Sequence, residues 1–167
     1  MRSAQNPANR GIFGEMARLV EQLPHYQESE ILILLKGHLL IEELLRSYID
    51  RTLPNPAAFQ HKQFLFAKVL MVCRSLTPPK IKSWTFDAAK KLNEVRNEAA
   101  HELDAFELQR KLEAFIDVVE KHSKNSVFPP MARGETRLSM AITDLYSELA
   151  RVLRSEESSH IFARGDL

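Results

Sequence analysis

The sequence predicts an all-α protein, an up-and-down bundle of about five or six helices. Three observations point there. Apolar residues recur at three- and four-residue intervals along most of the chain. Leu, Ala, Glu, Lys and Arg, the residues that helices tolerate best, are abundant. Only 5 glycines are present, too few for a fold made of many tight turns. A length of 167 residues, 44% of them hydrophobic and 27% charged, fits one domain that can bury a core without staples.

The domain is expected over residues 11–159, after a flexible polar tail at 1–10 that carries Pro7, and before a frayed tail at 160–167. A short amphipathic helix is predicted over Ile12–Leu23 and closed by Pro24. The next segment, Glu28 to about Arg51, is the most apolar in the chain, and its first half is apolar almost all round. Such a helix must be enclosed by neighbours or by a partner subunit. Gly37 inside it costs helix stability unless another backbone packs closely there.

Pro54 and Pro56 mark a turn, and a third helix is predicted over Ala57–Leu76. Phe59, Phe64, Leu65, Val69, Leu70, Val72 and Cys73 are its inward residues. Pro78-Pro79 is the sharpest break. Ser83 or Thr85 then caps a helix that runs to about Leu103, with Trp84, Ala88, Leu92, Val95, Ala99 and Leu103 as its inner stripe. Asp104 can cap the following helix, which runs to about Lys121 on Phe106, Leu108, Leu112, Phe115, Ile116 and Val119. Residues 124–134, with Pro129, Pro130 and Gly134, read as an internal linker. The last helix, about Glu135–Ser155, shows Leu138, Ala141, Ile142, Leu145, Leu149, Val152 and Leu153 at helical spacing.

The formal charge of +1 argues against a uniformly basic nucleic-acid binder but leaves room for a local basic cleft. Cys73 is the sole cysteine, so the chain can form no internal disulfide, and a reducing compartment is expected. No apolar run reaches the roughly 18 residues of a membrane span, and the start does not lead into a signal-peptide core. A cytoplasmic protein without membrane partners is the expectation. His25, His61, His122 and His160 are scattered without zinc-site spacing, so no metal and no cofactor is expected. Phosphate loops, Gly-x-Ser-x-Gly elbows and His-Glu-x-x-His are absent.

The best candidate to carry chemistry is Arg96-Asn97-Glu98-Ala99-Ala100-His101, late in the fourth helix. In the plain reading, Arg96 is a surface arginine and His101 a charge favoured by the helix terminus. In the chemical reading, Arg96 grips a phosphate with paired donors, and His101 is a general base or acid near neutral pH. Asn97 positions either the phosphate or the imidazole. Helix geometry puts Arg96 and His101 about 140° apart and Arg96 nearer the apolar stripe, whereas Asn97 and His101 share a face.

Glu42 and Glu43 stand in an otherwise apolar helix, where a carboxylate needs a partner. One either faces Arg96 and the cleft or points to solvent and pairs weakly with Arg46. His38 either approaches the same cleft or packs as a hydrogen-bonded histidine. Lys80, Lys82, Lys90 and Lys91 form either a phosphate track or a solvated helix face.

Arg96, Asn97 and His101 together resemble the signature of the HEPN superfamily, an arginine followed by a polar residue and, four to six residues on, a histidine. The stretch from Lys36 to Leu45 resembles the long helix of many bacterial HEPN-like proteins, and Leu92-Asn93-Glu94-Val95 the approach to their motif. The resemblance covers roughly residues 28–122. It implies a HEPN-like bundle and metal-independent cleavage of RNA at a site completed by two subunits. It places Arg96, Asn97 and His101 in the catalytic role, with Glu42, Glu43 and His38 in support. A homodimer, RNA, and a cognate antitoxin or regulatory protein are the implied partners. The alternative is a non-catalytic HEPN-like regulatory or interaction module, and a third reading is a helical adaptor whose motif is accidental.

Overall fold

The fold is that of a computed structural model, which describes residues 30–78, 84–101, 105–123 and 136–163, the side chains of 61, 101 and 155–163 excepted. The helix predicted over Ile12–Leu23, the Asp104 cap and the linker at 124–134 lie outside the described residues. All regular elements among those residues are helical: α1 (Glu30–Thr52), α2 (Pro56–Phe59), a 3-10 turn (His61–Gln63), α3 (Phe66–Leu76), α4 (Trp84–His101), α5 (Ala105–His122) and α6 (Arg137–Ala163). They form the all-α bundle that the periodicity predicts.

α1 is the helix on which the others are laid, with α3, α4 and α6 packed against it. Its buried residues Ile33, Leu34, Leu40, Ile41, Leu44, Leu45, Tyr48 and Ile49 cover about half of its circumference. The enclosure is incomplete, because Ile31 is 49% exposed and Leu39 62%. Gly37 marks a close approach, as expected, but the neighbour is a side chain. A Cβ built on Gly37 would lie 2.7 Å from both Cδ1 and Cγ2 of Ile142 on α6. The missing side chain of Gly37 is the space that Ile142 occupies.

The helix predicted over Ala57–Leu76 is interrupted. Asn55 accepts a hydrogen bond from the Ala58 amide and Pro56 sets the first turn, so a helix starts here. It stops after four residues at Gln60, which is left-handed at φ 47°. The polar run Gln60-His61-Lys62-Gln63 offers no apolar side chain to hold a helical turn on the core. In consequence Phe59 and Leu65, expected inside, are 37% and 83% exposed. The break frees the Phe64 carbonyl, which accepts a 2.6 Å hydrogen bond from Arg46 of α1.

α3 resumes at Phe66 and ends at Leu76, with Thr77 extended ahead of Pro78. Cys73 packs inside it as a small apolar residue, its thiol donating to the Leu45 carbonyl at 3.2 Å. Burial pushes that thiol up to about 12, so it stays protonated at neutral pH. The Tyr48 hydroxyl donates to the Leu76 carbonyl and joins α1 to the end of α3.

α4 buries Trp84, Ala88, Leu92 and Val95 as predicted. Thr85, one of the two expected caps, is its second residue and buried, and Ser83, the other, lies outside the described residues. α5 buries Leu112, Phe115, Ile116 and Val119 against α4 and α6. Phe106 is 77% exposed against expectation, because it lies about 120° around the axis from Leu112. At the start of α6 the Thr136 hydroxyl accepts from the Ser139 amide, the geometry of an N-cap. All seven predicted apolar positions of α6 are buried. The helix runs to Ala163, past the expected end at Ser155 and into the segment expected as a frayed tail. No Gly or Pro stands between Arg137 and Ala163 to stop it.

Candidate functional site

A run of polar side chains crosses the seam between α1 and α4. On α1 the spacing of four residues lines up His38, Glu42 and Arg46. On α4, Asn93 lies one turn before Arg96 and Asn97. His38 is the joint between the two helices. It is only 5% exposed, its Nε2 lies 3.0 Å from Asn93 Oδ1, and its ring rests on Phe66 of α3 at a centroid distance of 4.3 Å. A buried imidazole needs a polar partner, and an asparagine 55 residues away supplies it.

Glu42 settles between the two readings that the sequence left open. It accepts hydrogen bonds from Arg46 at 2.9 Å and 2.5 Å, and its other oxygen lies 3.9 Å from His38 Nδ1. Both partners of the ion pair are about one-fifth exposed, so the carboxylate faces neither open solvent nor Arg96. Since Arg46 also holds the Phe64 carbonyl, the pair ties α1 to the chain entering α3. Glu43 points to the exposed side of α1 and is not brought into this cluster.

The His38 imidazole is held below its ordinary value, chiefly because burial disfavours the cation. The hydrogen bond to Asn93 and the charge of Glu42 act in the opposite sense, while the charge of Arg96 adds to the lowering. The folded protein therefore resists protonation at His38, whereas the unfolded chain accepts a proton at about 6.5. Above that pH its titration has no effect on stability; as pH falls below it, the unfolded state gains, until the folded value is passed. Urea midpoints are expected to drop with acidification in this window. His38→Gln, which keeps a hydrogen-bonding group, is expected to flatten the drop, and an unchanged slope would speak against it.

Arg96 and Asn97 are both exposed, and Arg96 Nη1 donates to Asn97 Oδ1 at 3.3 Å. By helical angle Arg96 is in line with Leu92 and Ala89 of the apolar stripe, as the sequence reading has it. Its long stem leaves that stripe and delivers the guanidinium to solvent. Among the described residues Arg96 joins no ion pair; its field is nevertheless felt at His38. His101 is the last residue of α4, with its side chain outside the described set. Glu98, between them, is taken up by Lys111 of α5 at 2.6 Å.

Of the four lysines set out as a track or a solvated face, two are described. Lys90 lies 3.8 Å from Glu94, Lys91 is half-buried, and Lys80 and Lys82 are outside the described residues. No cluster of three or more His, Cys, Asp or Glu suited to a metal occurs among the described residues. No described helix is long and apolar enough to cross a membrane.

Sequence reasoning passed over two features. Asn93 was read only as part of the approach to the motif; its sole signal is a polar residue beside the fully buried Leu92. The second is a groove of about 240 Å³ between α3 and α4, lined from Phe66 to Arg74 on one helix and from Phe86 to Asn93 on the other.

Compared with family models, curated proteins and solved structures, the chain matches none of them.

Proposed function

We propose that this protein is a HEPN-like, metal-independent endoribonuclease of toxin or defence type, acting in the cytoplasm as a dimer. The observation that carries the reading is Arg96. Its guanidinium is exposed, joins no ion pair among the described residues, is steadied by Asn97, and shares a helix with His101 five residues on. An exposed arginine with a free charge is suited to a phosphodiester, which it grips through parallel N–H donors.

The chemistry follows from these groups. A 2′-hydroxyl loses its proton to a base and attacks the adjacent phosphorus; the 5′-oxygen leaves and takes a proton from an acid. His101 serves as base or acid. Arg96 holds the negative charge that builds on the phosphoryl oxygens, and Asn97 fixes the guanidinium. His38 and Glu42 support the helix seam from below and do not touch the substrate. The angular separation of Arg96 and His101 favours a site to which two copies of the chain contribute.

The test is direct. Purified protein is expected to cut single-stranded RNA in the presence of excess EDTA. Intact RNA after long incubation at high protein concentration would overturn the reading.

A second reading, a non-catalytic module that binds a regulator or a cognate antitoxin, is favoured by one observation. The helix that carries Arg96 is mixed in sign, with Asp87, Glu94 and Glu98 along it beside Lys90 and Lys91, in a chain of net charge +1. Substituting Arg96 would then change assembly with no cleavage to lose.

A further inference from the structure

We infer that residues 12–23 fold back as a helix, antiparallel to α1, and cover an apolar strip on its first three turns. The inference is independent of the nuclease reading. In this part of α1, Ile31, Leu35 and Leu39 recur every four residues and Leu32 lies beside them, so the four share an arc of about 100°. That is the width of a stripe that faces a core. Yet Ile31 is 49% and Leu39 62% exposed, and Leu32 and Leu35 are only partly buried. The strip has a definite end. Beyond Leu39 the same arc passes to Glu42 and Arg46, and Arg46 holds the Phe64 carbonyl, so the chain entering α3 lies across it. The uncovered part runs from Ile31 to Leu39, ~12 Å along the axis.

The segment best placed to cover it is the one joined to it. Residues 12–23 carry Ile12, Met16, Leu19, Val20 and Leu23 on one side, again within an arc of about 100°. As a helix they measure ~18 Å, the length of the strip with a half-turn to spare at either end. Pro24 stops such a helix, and residues 24–29 then lead into α1 at Glu30. That connection has the length that joins antiparallel helices, about 2–8 residues, and it holds Leu23 close to Ile31. Facing positions of an antiparallel pair have residue numbers of constant sum. Leu23 therefore meets Ile31, Leu19 meets Leu35, and Met16 meets Leu39 to within one residue.

A second copy of the chain fits the strip less well. A patch ~12 Å long and one helix wide is far smaller than the ~800 Å² per partner of a standard interface. The tethered segment also meets the strip at an effective concentration of roughly millimolar order, which a second chain must outcompete.

Hydrogen exchange on the full chain tests the docking without any substitution. A helix of about 12 residues is marginal in water by itself, so its amides exchange freely unless it is docked. The amides of residues 16–23, past the first open turn, are expected to be slowed at least about tenfold. Leu39→Asp, at an exposed position, is expected to abolish that slowing while the amides of α4 and α6 keep theirs. Register is read from oxidation of the double variant Leu19→Cys/Leu35→Cys. Glu21→Cys/Leu35→Cys, with the first residue on the opposite side of its helix, is the control. Cys73 is buried and stays protonated, which keeps it out of the reaction. A disulfide within one chain is expected to form in the first pair at least about tenfold faster than in the second. Free exchange of residues 16–23 in the wild type, or equal rates in the two pairs, overturns the inference. A disulfide that joins two chains overturns it in favour of a second copy. RNA cleavage enters neither readout, so its absence removes the nuclease reading and leaves the docking standing.

Discussion

His101→Ala is expected to lower RNA cleavage by about two to four orders of magnitude, the usual contribution of a general acid or base. The loss is expected in kcat with little change in RNA affinity, because an imidazole that moves a proton acts mainly in the transition state. Arg96→Ala is expected to be as damaging for a different reason. It removes the charge proposed to steady the phosphoryl oxygens, and it is expected to weaken RNA binding as well as turnover. Arg96→Lys separates charge from geometry. Lysine keeps the charge but loses the planar pair of donors and the hydrogen bond to Asn97 Oδ1, so partial activity is expected. Full activity in Arg96→Lys would mean that bidentate geometry has no role. Activity retained in His101→Ala would remove the imidazole from the mechanism. Steady-state cleavage of a labelled single-stranded RNA, with circular dichroism to check the fold, distinguishes these outcomes.

The second large effect concerns the α1–α6 contact. Gly37→Ala would by helix propensity alone stabilise the protein by roughly 0.5–1 kcal/mol. Here it is expected to destabilise. The new Cβ meets Ile142 Cγ2 at 2.7 Å, and that methyl group sits on the branched Cβ of a fully buried residue, where it cannot swing aside without changing rotamer. Overpacking of this kind costs about 1–3 kcal/mol. Ile142→Ala alone is expected to cost about 2–5 kcal/mol through lost burial and the cavity left behind. In the Ile142→Ala background the clash is gone, so Gly37→Ala is expected to become neutral or stabilising. That reversal of sign, read from urea unfolding of the four proteins, is the signature of direct contact. A stabilising Gly37→Ala in the wild-type background would contradict it.

What was legible in the sequence is what one helix determines by itself. The buried stripes of α4, α5 and α6 follow from spacing, because residues three and four apart share a face whatever packs against them. The Glu42–Arg46 pair was legible for the same reason. Gly37 announced a close approach, yet only the three-dimensional packing of α1 on α6 identifies Ile142 as the neighbour. The interruption at Gln60 was not legible, since helix-compatible residues fill the segment and only the lack of an apolar anchor in residues 60–63 distinguishes it. Leu65 and Phe106 were misplaced because an apolar residue off the stripe reads like a core residue until its angle is fixed.

The site divides along the same line. Arg96, Asn97 and His101 are neighbours in the chain and could be singled out as a pattern. His38 and Asn93 are 55 residues apart, so their hydrogen bond is a product of the packing of α1 on α4. Glu43 was grouped with Glu42 by adjacency, although successive residues on a helix point about 100° apart. The structure keeps the first on the exposed side and draws the second into the seam.

The proposed cleavage requires a 2′-hydroxyl as the attacking group, without a metal, at the end of α4. Analysis of the fragment ends made in EDTA tests this most directly, using one RNA and its copy with a single 2′-deoxy nucleotide at the cleaved position. The expected result is a 2′,3′-cyclic phosphate on one fragment, a 5′-hydroxyl on the other, and no cut at the deoxy position. Fragments with 5′-phosphate ends, or cleavage that continues at the deoxy position, would contradict it.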